Sequence, residues 1–194
     1  SVLRLVRYVT PDGAISEEGI AALVDAVSQA RVVAEREKVD EFLATATSAV
    51  REATNGTEVI ARIEAALGQP LQVLGGVSEA RFTFLAVRRW FGWSAGQILL
   101  FDIGGGSLEI AAGSDELPDE AASVPLGAGR MTIAYLPDHP PGEEAVDRLR
   151  AHARQTLKPL TKTFGALPRP DHTVGSSKAI RSLAKLVGYP MPGW

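Results

Sequence analysis

Apolar residues recur along this chain at two spacings. Ile20, Leu23, Val24 and Val27 follow Ser16, Glu17 and Glu18 at helical intervals, which predicts a helix capped by the Ser16 hydroxyl with one buried face. Phe42 to Ala46 reads as a strand. Ser48 is placed to cap a short helix carrying Arg51, and Thr57 to cap another whose Val59, Ile60, Ile63 and Leu67 keep helical spacing until Gly68 and Pro70 end it. Leu71 to Leu74 is the next strand, and Glu79 begins a helix through Phe82, Leu85, Ala86 and Arg89. Gly92 to Gly96 then reads as a linker.

Beyond the linker the spacing changes to period two. The apolar run of residues 98–101 and the alternation after Ser107 predict two strands joined as a hairpin. A third strand near Ala122 to Leu126, a helix from Glu143 to about Phe164, a strand at Thr173 to Gly175 and a helix from Ser177 follow. Strand and helix alternate in both halves, which predicts an α/β architecture in two units, residues 1–93 and 97–194. Trp90 and Trp93 read as packing residues at the junction.

The turn of the predicted hairpin carries chemistry. Asp102, Gly104, Gly105, Gly106 and Ser107 stand between two apolar runs. Successive glycines let backbone N–H groups converge on an anion without side chains in the way, and a carboxylate at a strand end can hold a metal ion or its water against that anion. The pattern is neither a Walker loop, which needs glycine, lysine and a hydroxyl residue opening a helix, nor a dinucleotide fingerprint. Phosphate binding and a plain tight hairpin both fit these residues alone.

Composition narrows the class. With 45% hydrophobic and 22% charged residues the chain is long enough to bury a substantial core and is not disordered. No apolar run approaches the roughly 20 residues of a membrane span, and no signal-peptide pattern is present. There is no cysteine, which removes disulfides and thiolate metal sites and fits a reducing, cytoplasmic setting. His139, His152 and His172 show no ligand spacing. The net charge of -3 is unevenly spread, since from Arg148 onward nine Lys or Arg residues meet the single acid Asp171. Arg150, Arg154, Lys158 and Lys162 recur every fourth residue, a drifting helical stripe up to Pro159, which is expected to bend or end it. Such a stripe either concentrates a polyanion or is a solvated face.

Further segments carry a resemblance. Ala46-Thr47-Ser48-Ala49-Val50-Arg51-Glu52-Ala53, Gly75-Gly76-Val77-Ser78-Glu79-Ala80-Arg81, the Asp102 loop, Pro125-Leu126-Gly127-Ala128-Gly129-Arg130 and Thr173-Val174-Gly175-Ser176-Ser177-Lys178 occur in this order. Together they resemble the exopolyphosphatase and guanosine pentaphosphate phosphohydrolase family over nearly the whole chain. Phe84 to Trp93 is similar to the actinobacterial exopolyphosphatases. The resemblance implies a ribonuclease H-like, two-domain fold shared with actin, sugar kinases and heat-shock ATPases, with the site between the domains. Family members open with a strand carrying Asp-x-Gly-Ser-Asn, a first phosphate loop, and this sequence contains no such stretch. Both ends are therefore expected to be incomplete, leaving a sheet edge that invites a homodimer.

What the resemblance implies for chemistry is specific. Glu79 would be the base that takes a proton from attacking water, Asp102 would bind Mg²⁺, and Arg51 would offer donors to an equatorial oxygen. Gly104, Gly105, Gly106 and Ser107 would hold the terminal phosphate. The substrate would be inorganic polyphosphate or guanosine pentaphosphate, with no membrane and no specific nucleic acid as partner. A non-hydrolytic polyanion-binding module of the same fold and an actin-like kinase are the competing classes. Without the resemblance Glu79 is an acid favoured by a helix start, and Gly127, Gly129 and Arg130 fit an extended anion site or a simple turn equally.

Overall fold

The structure, a computed structural model, describes Leu3 and residues 5–189. The chain divides into two compact units, Ser1–Gly75 and Gly76–Trp194.

In the first unit a 3-10 turn over Leu5–Tyr8 precedes α1 (Glu17–Glu37), and the Ser16 hydroxyl accepts the Gly19 N–H at 3.2 Å, the expected cap. A short parallel pair, β1 (Thr45–Ala46) and β2 (Gln72–Val73), sits with α2 (Ser48–Arg51) and α3 (Gly56–Leu67). Ile20 of α1 joins Val59, Ile63 and Leu67 of α3 in one buried cluster with Ile15 and Val50. Two caps differ from expectation. Thr47, not Ser48, precedes α2, and Asn55, not Thr57, precedes α3. Asn55 does not cap the helix with its side chain. Its amide instead accepts from the Ile15 N–H at 2.8 Å and donates to the Ile15 carbonyl at 2.9 Å. Thr57 lies inside α3, and the tertiary pairing over 40 residues takes the place of side-chain capping by Asn55.

The second unit begins with α4 (Gly76–Phe91) and a 3-10 turn over Trp93–Ala95. The hairpin β3 (Ile98–Ile103) and β4 (Leu108–Gly113) forms as expected, followed by β5 (Glu120–Val124). Next come α5 (Ala128–Tyr135), α6 (Glu143–Gly165), β6 (His172–Ser176) and α7 (Ser177–Leu186). Strand order is β5-β4-β3-β6, with β6 parallel to β3 and the other pairs antiparallel. Helix α4, which the sequence groups with the first half, clusters with the second unit because Phe84 packs against Ile98, Leu100 and Ala111. The opposite face of the sheet buries Leu108 and Ile110 against Leu157, Leu160 and Phe164 of α6.

Three further features depart from the sequence reading. Helix α5 forms over a segment in which the sequence reading placed no helix. Pro159 lies inside α6, which continues six residues past it, so the basic stripe is not cut there. Trp90 and Trp93 are exposed, and the Trp93 ring meets the Arg88 guanidinium at 5.6 Å. Arg88 itself is buried, donating to the carbonyls of Gly96 at 2.8 Å and Trp93 at 3.0 Å. It thereby fastens the end of α4 to the entry of β3.

Candidate phosphate-binding site

The site follows from the register of the β3–β4 hairpin. Ile103 pairs with Leu108 and Asp102 with Glu109, and side chains alternate between the two faces of a strand. Leu100 and Ala111 lie in the α4-facing cluster, so Asp102 and Glu109, one step nearer the turn, project from that same face. Ser123 of β5 pairs with Glu109 and donates its hydroxyl to Oε1 at 2.8 Å. Glu109 is buried, only 2% exposed.

Helix α4 brings a fourth oxygen. The Thr83 hydroxyl stands near enough to the Asp102 carboxylate to lower its pKa. Phe84 packs on Leu100, and Arg88 reaches Gly96 before β3 begins, so α4 runs antiparallel to β3. Glu79 precedes Thr83 by four residues, about 6 Å along the axis and on the same helix face. That places it beyond Asp102, toward the glycine loop. Glu79 is partly buried in the first turn of α4.

Asp102 is held above the usual carboxylate range, first by burial, then by the nearby Glu109 charge, against the lowering effect of the Thr83 hydroxyl. Two carboxylates facing each other across a hairpin repel. A hard divalent cation relieves that repulsion, and the oxygen donors of Asp102, Glu109 and Thr83 suit Mg²⁺, which keeps several waters and takes one or two carboxylates plus substrate oxygens. Among the described residues no group of three or more His, Cys, Asp or Glu converges as a complete cage.

The glycine loop is oriented through its carbonyls. The Ala128 N–H donates to the Gly104 carbonyl at 2.9 Å, the Arg130 N–H to that of Gly105 at 3.0 Å, and Arg130 Nε to that of Gly106 at 2.9 Å. In a trans peptide unit the N–H points opposite to the C=O. Capturing three successive carbonyls on one side therefore turns the N–H groups of Gly105, Gly106 and Ser107 to the other. None of these three is used by the loop's own hydrogen bonds. The Ser107 hydroxyl is buried and has no partner within the protein. One expected donor is corrected: the Gly104 N–H closes the turn onto the Ser107 carbonyl at 2.9 Å and is spent there. Ser107 supplies the third N–H in its place.

Glycine serves close approach here more than a special dihedral. None of the three loop glycines takes a positive φ. A Cβ on Gly127 would lie 2.3 Å from the Gly106 carbonyl carbon and 2.4 Å from the Ser107 nitrogen, so Gly127 is what lets the Ala128–Arg130 segment reach the loop. The segment that the sequence left open between anion site and turn is thus the loop's support.

Arg51 belongs to the first unit. Its guanidinium donates to the Leu74 carbonyl and pairs with Glu52 at 3.2 Å. Asp102, the loop and Glu79 all belong to the second unit. The sequence reading missed Glu109, Thr83 and Ser123. Counting outward from the turn would have paired Glu109 with Asp102, whereas Thr83 and Ser123 carry no signal until the sheet and helix are assembled.

Residues 1–189 match the Ppx/GppA phosphatase family. The chain belongs to that family. It is 47% identical over 188 residues to Exopolyphosphatase 1 of Mycobacterium leprae, covering 97% of this chain and 56% of the relative. Exopolyphosphatase 1 of Mycobacterium tuberculosis is 45% identical, covering 97% of this chain and 55% of the relative. The chain thus spans a little over half the length of these curated relatives. An exopolyphosphatase from Cytophaga hutchinsonii superposes with a TM-score of 0.81 at 28% identity, over 90% of this chain and 55% of that one. The Ppx/GppA chain has the ribonuclease H-like α/β architecture that its sequence implied. Among the described residues no helix is long and apolar enough to cross a membrane.

Proposed function

We propose that the whole protein carrying this chain is an exopolyphosphatase that releases terminal orthophosphate from inorganic polyphosphate by attack of water. The observation that carries the reading is the loop of Gly105, Gly106 and Ser107, whose three N–H groups are turned to one side beside the unpartnered Ser107 hydroxyl. That is an electropositive cradle for a tetrahedral anion, and the carboxylates of Asp102 and Glu109 stand at its base.

Phosphoanhydride cleavage needs an in-line water, donors on the equatorial oxygens and a proton acceptor. In this reading the loop holds the terminal phosphate in place. Glu79 accepts the proton of the attacking water, so that hydroxide character develops only as the oxygen–phosphorus bond forms. Asp102 and Glu109 would hold Mg²⁺, which would neutralise charge on the phosphoryl oxygens.

The deciding experiment measures phosphate release from polyphosphate with Mg²⁺, with guanosine pentaphosphate as comparator. Glu79→Ala is expected to lower turnover by about 10²–10⁴-fold, the range of a lost general base, while polyphosphate binding persists. Turnover equal to the unaltered protein would sink the assignment.

A further inference from the structure

The exposed cations of the second unit are concentrated toward α6 and α7. Several exposed arginines elsewhere are matched by acids, Arg31 by Glu35, Arg62 by Glu17, Arg89 by Glu116, Arg148 by Glu144 and Arg150 by Asp147, whereas Arg154, Lys158 and Lys162 of α6 and Arg169 after it are exposed with no ion pair among the described residues. On α7 every cation is of the second kind. Lys178, Arg181 and Lys185 are exposed, no ion pair among the described residues engages them, and the sequence from His172 to Tyr189 contains no Asp or Glu.

Their spacing puts them on one line. At 100° per residue the three fall within an arc of about 60°. Ile180 occupies a different face and points inward, where a Cβ on Gly175 would lie 2.5 Å from its Cγ2. Anchored in that way, α7 presents the cations outward. The rise of 1.5 Å per residue sets Arg181 about 4.5 Å, and Lys185 about 10.5 Å, beyond Lys178.

The line starts at the site. Ser176 of β6 pairs with Asp102 of β3, and α7 begins at the next residue. Lys178 therefore lies in the first turn of a helix that leaves the sheet beside the strand end bearing Asp102 and the glycine loop. A substrate whose terminal phosphate occupied that loop would carry further phosphates away from it, one charge or more for each phosphorus.

We propose that the outer face of α7, through Lys178, Arg181 and Lys185, is a track for the polyphosphate chain behind the terminal phosphate. The proposal rests on the exopolyphosphatase reading and adds a distinction within it. Long chains reach all three cations, whereas a short phosphate oligomer held at the loop does not. Exposed charge contacts of this kind are individually weak and screened by salt, so their effect is one of chain capture and not of the chemical step.

The test compares the whole protein with its Lys178→Ala/Arg181→Ala/Lys185→Ala variant on long-chain polyphosphate and on tripolyphosphate, at low and moderate salt. The expected result is a KM for the long chain raised about tenfold, the order that three exposed charge contacts supply. The kcat on the long chain and the kcat/KM on tripolyphosphate are expected to stay unchanged, and the salt dependence of the long-chain KM to become shallower. Equal KM values for variant and parent on the long chain would overturn the track, and so would equal losses on both substrates. If the unaltered protein released no phosphate from either, the hydrolase reading would fail separately. Binding of fluorescently labelled long polyphosphate would then decide the track: weaker binding by the variant supports it, and identical binding rejects it.

Discussion

At Ser107 a hydroxyl sits in the interior of the second unit with nothing in the protein to meet it. A buried, unsatisfied polar group costs about 1–3 kcal/mol. Replacing it with alanine removes that penalty with the loss of one oxygen. Ser107→Ala is therefore expected to leave the melting temperature equal to or above that of the parent while phosphate release falls by about 10²-fold, as for a lost oxyanion donor. A lowered melting temperature with full activity would make Ser107 a packing residue. Asp102 gives a second contrast. Its carboxyl is held above the usual range in the folded chain, so the folded state binds that proton more tightly than the unfolded one. The charged form then weakens the fold at neutral pH, and this penalty fades as pH falls through the raised value toward the ordinary one. In metal-free buffer Asp102→Asn should melt above the parent at pH 7, with the difference shrinking toward pH 4. Thermal melts across that range would read it, and a constant difference would contradict the burial argument. Asp102, Ser107 and the glycines were legible as residues. The partner Glu109 was legible only by counting outward from the turn, because its role depends on the hairpin register.

The helix and hairpin elements explain how such a loop keeps its shape. Segment 128–130, at the start of α5, captures the carbonyls of Gly104, Gly105 and Gly106, and Gly127 permits its approach. Gly127→Ala forces a methyl group against the Gly106 and Ser107 backbone, 2.3 Å from the Gly106 carbonyl carbon. Because strain of this kind is confined to the contact, it should cost about 1–3 kcal/mol of stability and displace the loop enough to remove most activity. Activity assays beside thermal melts check this, and an active, fully stable variant would refute the clasp. Helix α4 is legible from its apolar spacing, but its allegiance is not. Whether Phe84 meets one sheet or another is decided by which apolar surface is available after folding, and Arg88 reinforces the outcome by bonding two carbonyls ahead of β3.

Among the described residues, apolar burial is organised as separate clusters, one in the first unit around Ile20, Val59 and Ile63 and two in the second around Leu100 and around Ile110. Ile63→Ala deletes buried methylene groups at a cost of about 2–5 kcal/mol. Amide hydrogen exchange is expected to accelerate in α1 and α3 while protection in β3 and β4 persists, since opening follows cooperative units. Equal acceleration in both would show a single cooperative core. The sequence by itself determined the local features: helical spacing in α1, α3 and α4, period two around the hairpin, three glycines near Asp102, and a basic stretch from Arg148 onward with the single acid Asp171. Each of these is set by neighbours within a few residues, where backbone propensity and side-chain periodicity act directly. Only the tertiary structure decided that α4 joins the second unit, that Asn55 bonds Ile15 in preference to capping α3, that the Gly104 N–H is consumed in the turn, and that Thr83, Glu109 and Ser123 gather around Asp102. Those outcomes depend on long-range hydrogen-bond competition and on which apolar faces meet. Neither is encoded at any single stretch of the chain, because each partner's energy exists only once the other is in place.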